Sequence, residues 1–276
     1  MLYIRKSPPS KEAADNISRV KTERKYLLDR QDPQAARRAF DSLDKSKIRK
    51  SLIREQHGLC GYCMRRIGDA GSTTIEHRAP VDKNLDRVLD YENMIGVCDG
   101  GRTADKEDWP EGRHILCCDA SKGDREITID PYDKNHMDKI RYSEKGRIYT
   151  YPEDKVLERD INDVLHLNGL DGLDTSTGLL RARREAYRSY VRGMRRQGGK
   201  VSRAYIEGRI KAIESQEIYP AFAGVILFFL KRKLRELTQK EERQAYKSKI
   251  EFEEQLREKI RGEEIPPSPC GEAEGV

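Results

Sequence analysis

The feature that most constrains this chain is a cluster of cysteines between residues 60 and 122. Five of the six cysteines lie in that stretch. The spacing Cys60-Gly-Tyr-Cys63 allows two thiolates to bind one Zn²⁺. Cys98 is a third candidate ligand, and a tetrahedral site needs one more. The sequence therefore predicts a structural zinc site and leaves the choice between Cys117 and Cys118 open.

Two alternatives to this set of ligands have to be weighed. A CxxC pair also occurs in redox proteins, where it begins a helix after a strand, whereas here a predicted helix ends just before Cys60. His57 and His114 each precede a cysteine closely, so each is an alternative ligand. Cys270 lies in the tail 263–276, which is rich in Pro and Gly and is predicted to be disordered.

The composition suits a charged protein of the cytoplasm. Charged residues make up 37% of the 276 residues, and the net charge is +6. This basic bias suits a nucleic-acid partner without requiring one. The start of the chain lacks the apolar segment of a secretory signal, and the longest apolar run, 221–230, is shorter than the roughly 20 residues that cross a bilayer. We therefore predict a cytoplasmic location, no membrane association, and reduced thiols that can bind metal.

The pattern of apolar residues divides the chain into four segments. Residues 1–57 are predicted to be an N-terminal helical flank, 58–152 a core with the cysteines, 153–262 a helical domain, and 263–276 the tail. The flank ends in a helix over 33–57, because Pro33 suits a first helical turn and Gly58 suits a helix stop.

The predicted fold class is α+β, mostly α. Strands are predicted at 126–130 and in a hairpin of 139–143 and 147–151, which turns at a glycine. The helices predicted after the hairpin are 155–168, 178–197, 201–215, 217–236 and 238–261.

A Glu-His pair lies between the cysteine clusters. Thr73, Thr74 and Ile75 favour a strand that runs into Glu76 and His77. Adjacent residues of a strand point to opposite faces, so the two would serve different roles unless the end of the strand twists.

The order of these motifs resembles that of the HNH endonucleases, in the branch with a zinc site and a ββα-metal (His-Me finger) core. The likeness covers about residues 58–125. It is closest to the HNH nuclease subunits of the Septu anti-phage system and to similar retron-associated proteins. The matching residues are Cys60-Gly-Tyr-Cys63, Glu76-His77-Arg-Ala-Pro80, Asn93-x₄-Cys98 and Cys118-Asp119-Ala-Ser-Lys122.

The resemblance implies a role for each matching residue. His77 falls at the general-base position, Glu76 and Asp119 at two ligand positions for a catalytic metal, and Asn93 at the position that ties the loop between the strands. In the wider family the first ligand is often Asp or His and the last is often His or Asn. Two carboxylates make a harder oxygen site, so the catalytic ion is predicted to be Mg²⁺ or Mn²⁺. The implied zinc ligands are Cys60, Cys63, Cys98 and Cys118.

The resemblance predicts an endonuclease that acts on DNA or RNA, an effector of anti-phage defence that works with an ABC-type ATPase. The insert 99–117 is either a substrate or partner loop or a tolerated insertion. The basic segment 181–200 is either a phosphate-binding helix or a solvated surface. Competing hypotheses are a non-catalytic zinc-binding nucleic-acid module and a structural adaptor to an ATPase. The candidate nucleic-acid contacts are Lys122, Arg125, Arg184 and Arg188.

Overall fold

The computed structural model describes residues 1–68, 73–198 and 201–262. It is mostly helical, with two small two-stranded sheets. The chain divides into two compact units, Met1–Lys231 and a second unit that begins at Arg232. The predicted boundaries at 57, 152 and 262 stay predictions, and the predicted disorder of the tail concerns residues outside the described ranges.

Four helices precede the cysteine-rich segment: α1 (Lys11–Glu23), α2 (Lys25–Leu28), α3 (Pro33–Asp41) and α4 (Lys45–Glu55). The single helix predicted over 33–57 is wrong, because the chain breaks into α3 and α4. The Asp44 side chain accepts a hydrogen bond from the Ser46 amide and so starts a second helix. Apolar side chains of α1, α3 and α4, such as Val20, Ala36 and Leu52, form a buried cluster with the next sheet.

The first sheet pairs β1 (Thr73–His77) with β2 (Met94–Cys98) in antiparallel register, with His77 opposite Met94. The predicted strand at Glu76 and His77 is confirmed. The sequence did not predict β2, because all five of its residues are buried and a short apolar run has no alternation to identify it. A short helix, α5 (Cys118–Lys122), packs against β2.

Helix α6 (Lys134–Lys139) leads into the second sheet, in which β3 (Ile140–Tyr142) pairs with β4 (Ile148–Thr150). The predicted hairpin is confirmed. The predicted strand at 126–130 is wrong, because its amides pair with a side chain instead of a neighbouring strand. The amides of Thr128 and Ile129 both donate to the Asp160 carboxylate, at 2.5 and 2.9 Å.

The helices after the hairpin are α7 (Lys155–Arg159), α8 (Leu179–Arg195), α9 (Arg203–Glu214) and α10 (Ala223–Gly262), and a π-helical turn (Asp160–Val164) extends α7. The separate helices predicted over 217–236 and 238–261 are wrong, because α10 is continuous. Its first residues are buried, with Ala223, Val225 and Leu230 fully enclosed. Within the described ranges, no helix combines the length and apolar character that crossing a membrane requires.

Candidate functional site

Four buried thiols meet at one point. The sulfur atoms of Cys60 and Cys118 are 3.9 Å apart, those of Cys63 and Cys98 are 3.7 Å apart, and those of Cys98 and Cys118 are 3.8 Å apart. A Zn²⁺ ion with Zn–S bonds of about 2.3 Å would separate tetrahedral ligands by about 3.8 Å. The buried group of four cysteines therefore has the dimensions of a tetrahedral metal site.

The geometry decides between the adjacent cysteines in favour of Cys118. The sulfur of Cys117 lies outside the group, 3.7 Å from the Thr177 hydroxyl. The two alternative histidines are engaged elsewhere. The His57 ring stacks on Tyr219 with centroids 4.0 Å apart, and the Nε2 atom of His114 lies 2.7 Å from the Gly101 carbonyl oxygen.

Backbone hydrogen bonds shape the turn that presents Cys60 and Cys63. The Cys60 amide donates to the Arg65 carbonyl at 2.8 Å, and the Arg65 amide donates to the Cys63 sulfur at 3.4 Å. The turn packs tightly on β2, because a Cβ atom on Gly61 would lie 2.2 Å from the Cδ1 atom of Ile95. Glycine is therefore required at this close approach.

A buried glutamine joins this turn to β2. The Gln56 side-chain amide donates to the carbonyls of Leu59, at 2.8 Å, and Gly96, at 2.7 Å. Its oxygen accepts from the Gly96 amide at 2.7 Å. Gln56 therefore links the cysteine turn to the strand that carries Cys98. Nothing in the local sequence marks it, since its partner lies 40 residues away.

A cavity of about 360 Å³ is lined by residues of α3, β1 and α5. Glu76 and His77 from the end of β1 and Asp119 from α5 all line it. Two adjacent residues of a strand normally point to opposite faces, yet Glu76 and His77 share this cavity. The structure thus brings together the three side chains that the resemblance assigns to catalysis, and Lys122 lines the cavity with them.

The His77 ring is held in one orientation. Its Nε2 atom lies 2.9 Å from the Val88 carbonyl oxygen, which requires a proton on Nε2 and leaves Nδ1 as the acceptor nitrogen. Phe40 packs edge-on against the ring, with centroids 4.6 Å apart. Burial lowers the pKa of His77 below its usual value, against the opposing effect of the bond to Val88, and Lys122 lowers it further. The imidazole is therefore neutral near neutral pH.

The two carboxyl groups of the cavity are close to each other and to basic side chains. Burial raises the pKa of Glu76 to about 8; contact with Asp119 adds to the rise, while Lys122 opposes it. The Lys122 ammonium lies 2.6 Å from Oε1 of Glu76, with side-chain exposures of 1% and 9%. Arg102 pairs with Asp119 at 3.0 Å. Two carboxylates that share one site repel each other, so a nearby positive charge stabilises their ionised forms.

Asn93 lies under the loop that joins β1 to β2. Its side-chain oxygen accepts from the Ala79 amide at 2.8 Å, and its amide nitrogen donates to the Ala79 carbonyl at 3.0 Å. The side chain is fully buried. These bonds fix the chain two residues after His77, in the loop that the resemblance expects Asn93 to tie.

The candidate phosphate contacts occupy different environments. Lys122 is buried, so it could reach a phosphate only by leaving Glu76. The Arg125 guanidinium donates to the backbone carbonyls of Asp163 and Val164, at 2.9 and 3.0 Å. Arg184 and Arg188 are exposed on α8. Their roles in binding nucleic acid stay predictions.

The sequence did not predict two basic residues of the cavity region. Arg102 reaches Asp119 from the insert 99–117, and Arg37 lines the cavity from α3. Neither lies in a motif, and each meets the cavity only through the fold.

No family model matches this chain, and no curated protein matches it either.

Proposed function

We propose that this chain is a metal-dependent HNH endonuclease that hydrolyses phosphodiester bonds in DNA or RNA. The observation that carries the proposal is the cavity that His77 shares with the carboxyl groups of Glu76 and Asp119. The antiparallel pair β1–β2 followed by α5 supports it, because a ββα-metal core needs these elements in this order.

In this proposal His77 is the general base. The Nε2 proton is held by the Val88 carbonyl, so Nδ1 is the atom that takes a proton from the attacking water. Burial keeps the ring neutral and therefore able to accept that proton. General-base catalysis of this kind contributes about 10²–10⁴-fold to a rate.

Glu76 and Asp119 would hold the catalytic ion. A bound Mg²⁺ or Mn²⁺ would neutralise charge on the scissile phosphate and on the departing oxygen. The donor set fits such an ion, since both ligands are carboxyl groups and the two lie in contact with each other. Lys122 and Arg102 pair with these carboxylates, so the ion would have to displace or share those contacts.

The four cysteines would hold Zn²⁺ as a structural ion. Four thiolates complete its coordination and leave no open position for a substrate, so we assign this ion no part in the cleavage. The role in anti-phage defence and the partnership with an ABC-type ATPase are further proposals that rest on the resemblance of the motifs alone.

One observation favours a second candidate, a non-catalytic zinc-binding module that binds nucleic acid or an ATPase. Both carboxylates of the cavity already pair with basic side chains, Glu76 with Lys122 and Asp119 with Arg102. If these ion pairs persist with Mg²⁺ present, the cavity holds no metal and the chain does not cut.

Cleavage of supercoiled plasmid and of a structured RNA separates the two candidates. The zinc-loaded protein is expected to cut with Mg²⁺ and to be inactive without it, and His77→Ala is expected to abolish cutting. The matched control is His136→Ala, since His136 does not line the cavity. Binding without cleavage by the wild-type protein, or full activity of His77→Ala, would contradict the nuclease proposal.

A further inference from the structure

A row of arginines runs along the solvent-exposed side of α8. Its members are three or four residues apart, so they fall within an arc of about 80° on a helix of 3.6 residues per turn. A rise of about 1.5 Å per residue makes the row about 21 Å long. We call it the α8 arginine row, and its members are Arg181, Arg184, Arg188, Arg192 and Arg195, all exposed.

The other side of α8 holds the helix in place. Leu179, Arg183 and Ala186 are buried there. The rings of Tyr187 and Tyr190 pack on Phe229, with centroids 4.6 and 5.6 Å apart. The arginine row therefore takes no part in packing the fold, and its charges lie on the exposed side of a helix whose other side is packed.

Only one acidic residue accompanies the row on this helix. Glu185 pairs with Arg188 at 2.5 Å. In the part of the chain that the structure describes, no carboxylate pairs with the guanidinium of Arg181, Arg184 or Arg192. Like charges this close repel one another, and a polyanion laid along the row would relieve that repulsion.

We propose that the α8 arginine row binds the phosphate backbone of a double-stranded nucleic acid. Binding of single strands relies on aromatic rings that stack on bases. The two aromatic residues of α8, Tyr187 and Tyr190, both pack on Phe229. A duplex presents about 12 charges over the length of the row, since it carries one charge per about 1.7 Å.

Contacts within the insert 99–117 connect the first member of the row to a residue of the candidate catalytic cavity. Arg181 lines a second cavity, of about 530 Å³, together with Asp99. Arg102, three residues after Asp99 in the sequence, forms an ion pair with Asp119 of the candidate catalytic cavity. Three aspartates and three arginines line this second cavity, so its charges offset one another and we assign the binding to the row. The proposal rests on the proposed function in one respect: the duplex is the substrate, or is continuous with it.

Binding is measured in the zinc-loaded His77→Ala protein without added Mg²⁺, so that cleavage cannot interfere. Fluorescence anisotropy follows labelled DNA and RNA duplexes of about 20 base pairs and the matching single strands, from about 50 to about 200 mM salt. The test variant combines Arg184→Gln, Arg188→Gln and Arg192→Gln. The charge-matched control combines Lys21→Gln, Arg30→Gln and Lys50→Gln, three exposed residues that do not line the catalytic cavity.

The parent and the control are expected to bind duplexes more tightly than single strands. Each lost phosphate contact reduces the slope of log affinity against log salt concentration by about 0.9. Raising the salt over this range therefore weakens binding by the test variant by a factor roughly 40-fold smaller than the factor for the parent. An unchanged affinity and slope in the test variant would overturn the proposal. Equal binding of single strands, or of polyglutamate, would replace the duplex with another partner.

A failure of this inference can be distinguished from a failure of the nuclease proposal. If the wild-type protein never cuts but the row binds duplexes, the proposed function fails and this inference stands. If the wild-type protein cuts with Mg²⁺ and the test variant binds duplexes as the parent does, the proposed function stands and this inference fails. Matched thermal melting curves show that a lost affinity is not a lost fold.

Discussion

The adjacent cysteines allow a sharp test of the metal site. Cys118 belongs to the group of four thiols, with its sulfur 3.8 Å from that of Cys98. Cys117 is equally buried, but its sulfur is near Thr177. We therefore predict that Cys118→Ala loses the zinc ion, while Cys117→Ala retains one ion per chain.

The expected difference in stability is large. Structural Zn²⁺ sites contribute apparent binding free energies of about 10–16 kcal/mol at neutral pH. This matches or exceeds the total stability of an ordinary domain, about 5–15 kcal/mol. Cys118→Ala should therefore leave the region around β1, β2 and α5 unfolded at room temperature. Cys117→Ala removes one buried sulfur atom and should cost about 1 kcal/mol.

Elemental analysis of the purified variants gives the zinc content, and urea unfolding gives the free energy. The two substitutions are chemically identical and one residue apart, so each is the control for the other. A zinc-loaded, stable Cys118→Ala protein beside a metal-free Cys117→Ala protein would refute the assignment of ligands. The direction of Asp119 relative to the cavity would then need revision too.

Three further substitutions test the framework of the site, two by urea unfolding and one by the rate of zinc release. Asn93→Ala removes both hydrogen bonds to the backbone of half-buried Ala79 and should cost about 1–3 kcal/mol, whereas exposed Asn135→Ala should be near neutral. Gln56→Leu removes three hydrogen bonds between the cysteine turn and its surroundings, and should speed zinc release to a chelator. The added methyl group of Gly61→Ala would clash with Ile95 and should cost about 1–3 kcal/mol. The control Gly208→Ala, in an open position of α9, should stabilise the protein by about 1 kcal/mol. Equal effects of the two substitutions would contradict the close packing at Gly61.

The sequence predicted the elements whose signals are local. The spacing of Cys60 and Cys63, together with Cys98, predicted a thiol site, and the resemblance favoured Cys118 over Cys117 as the fourth member of the group that the structure brings together. β-branched residues before Glu76 predicted β1, and alternation around a glycine predicted the β3–β4 hairpin. Each of these signals lies within a few residues of the element that it predicts.

Contacts between distant residues could not be predicted in this way. The residues of the segment 126–130 resemble a strand, but two of its backbone amides donate hydrogen bonds to the buried carboxylate of Asp160. Lys122 ends a matching motif and is a candidate phosphate contact, yet it is buried against Glu76. Arg102 looks like one charge in a polar insert and pairs with Asp119. In each case the partner lies far along the chain, so no local pattern carries the information.

The central claim is that His77 removes a proton from the water that attacks the phosphodiester bond. Chemical rescue tests it most directly, because the cavity of about 360 Å³ has room for a free imidazole once the ring of His77 is gone. Cleavage by His77→Ala is expected to fall about 10²–10⁴-fold and to recover in part as imidazole is added with Mg²⁺ present. Glu76→Gln should not recover under the same conditions. Full activity of His77→Ala without imidazole would contradict the account.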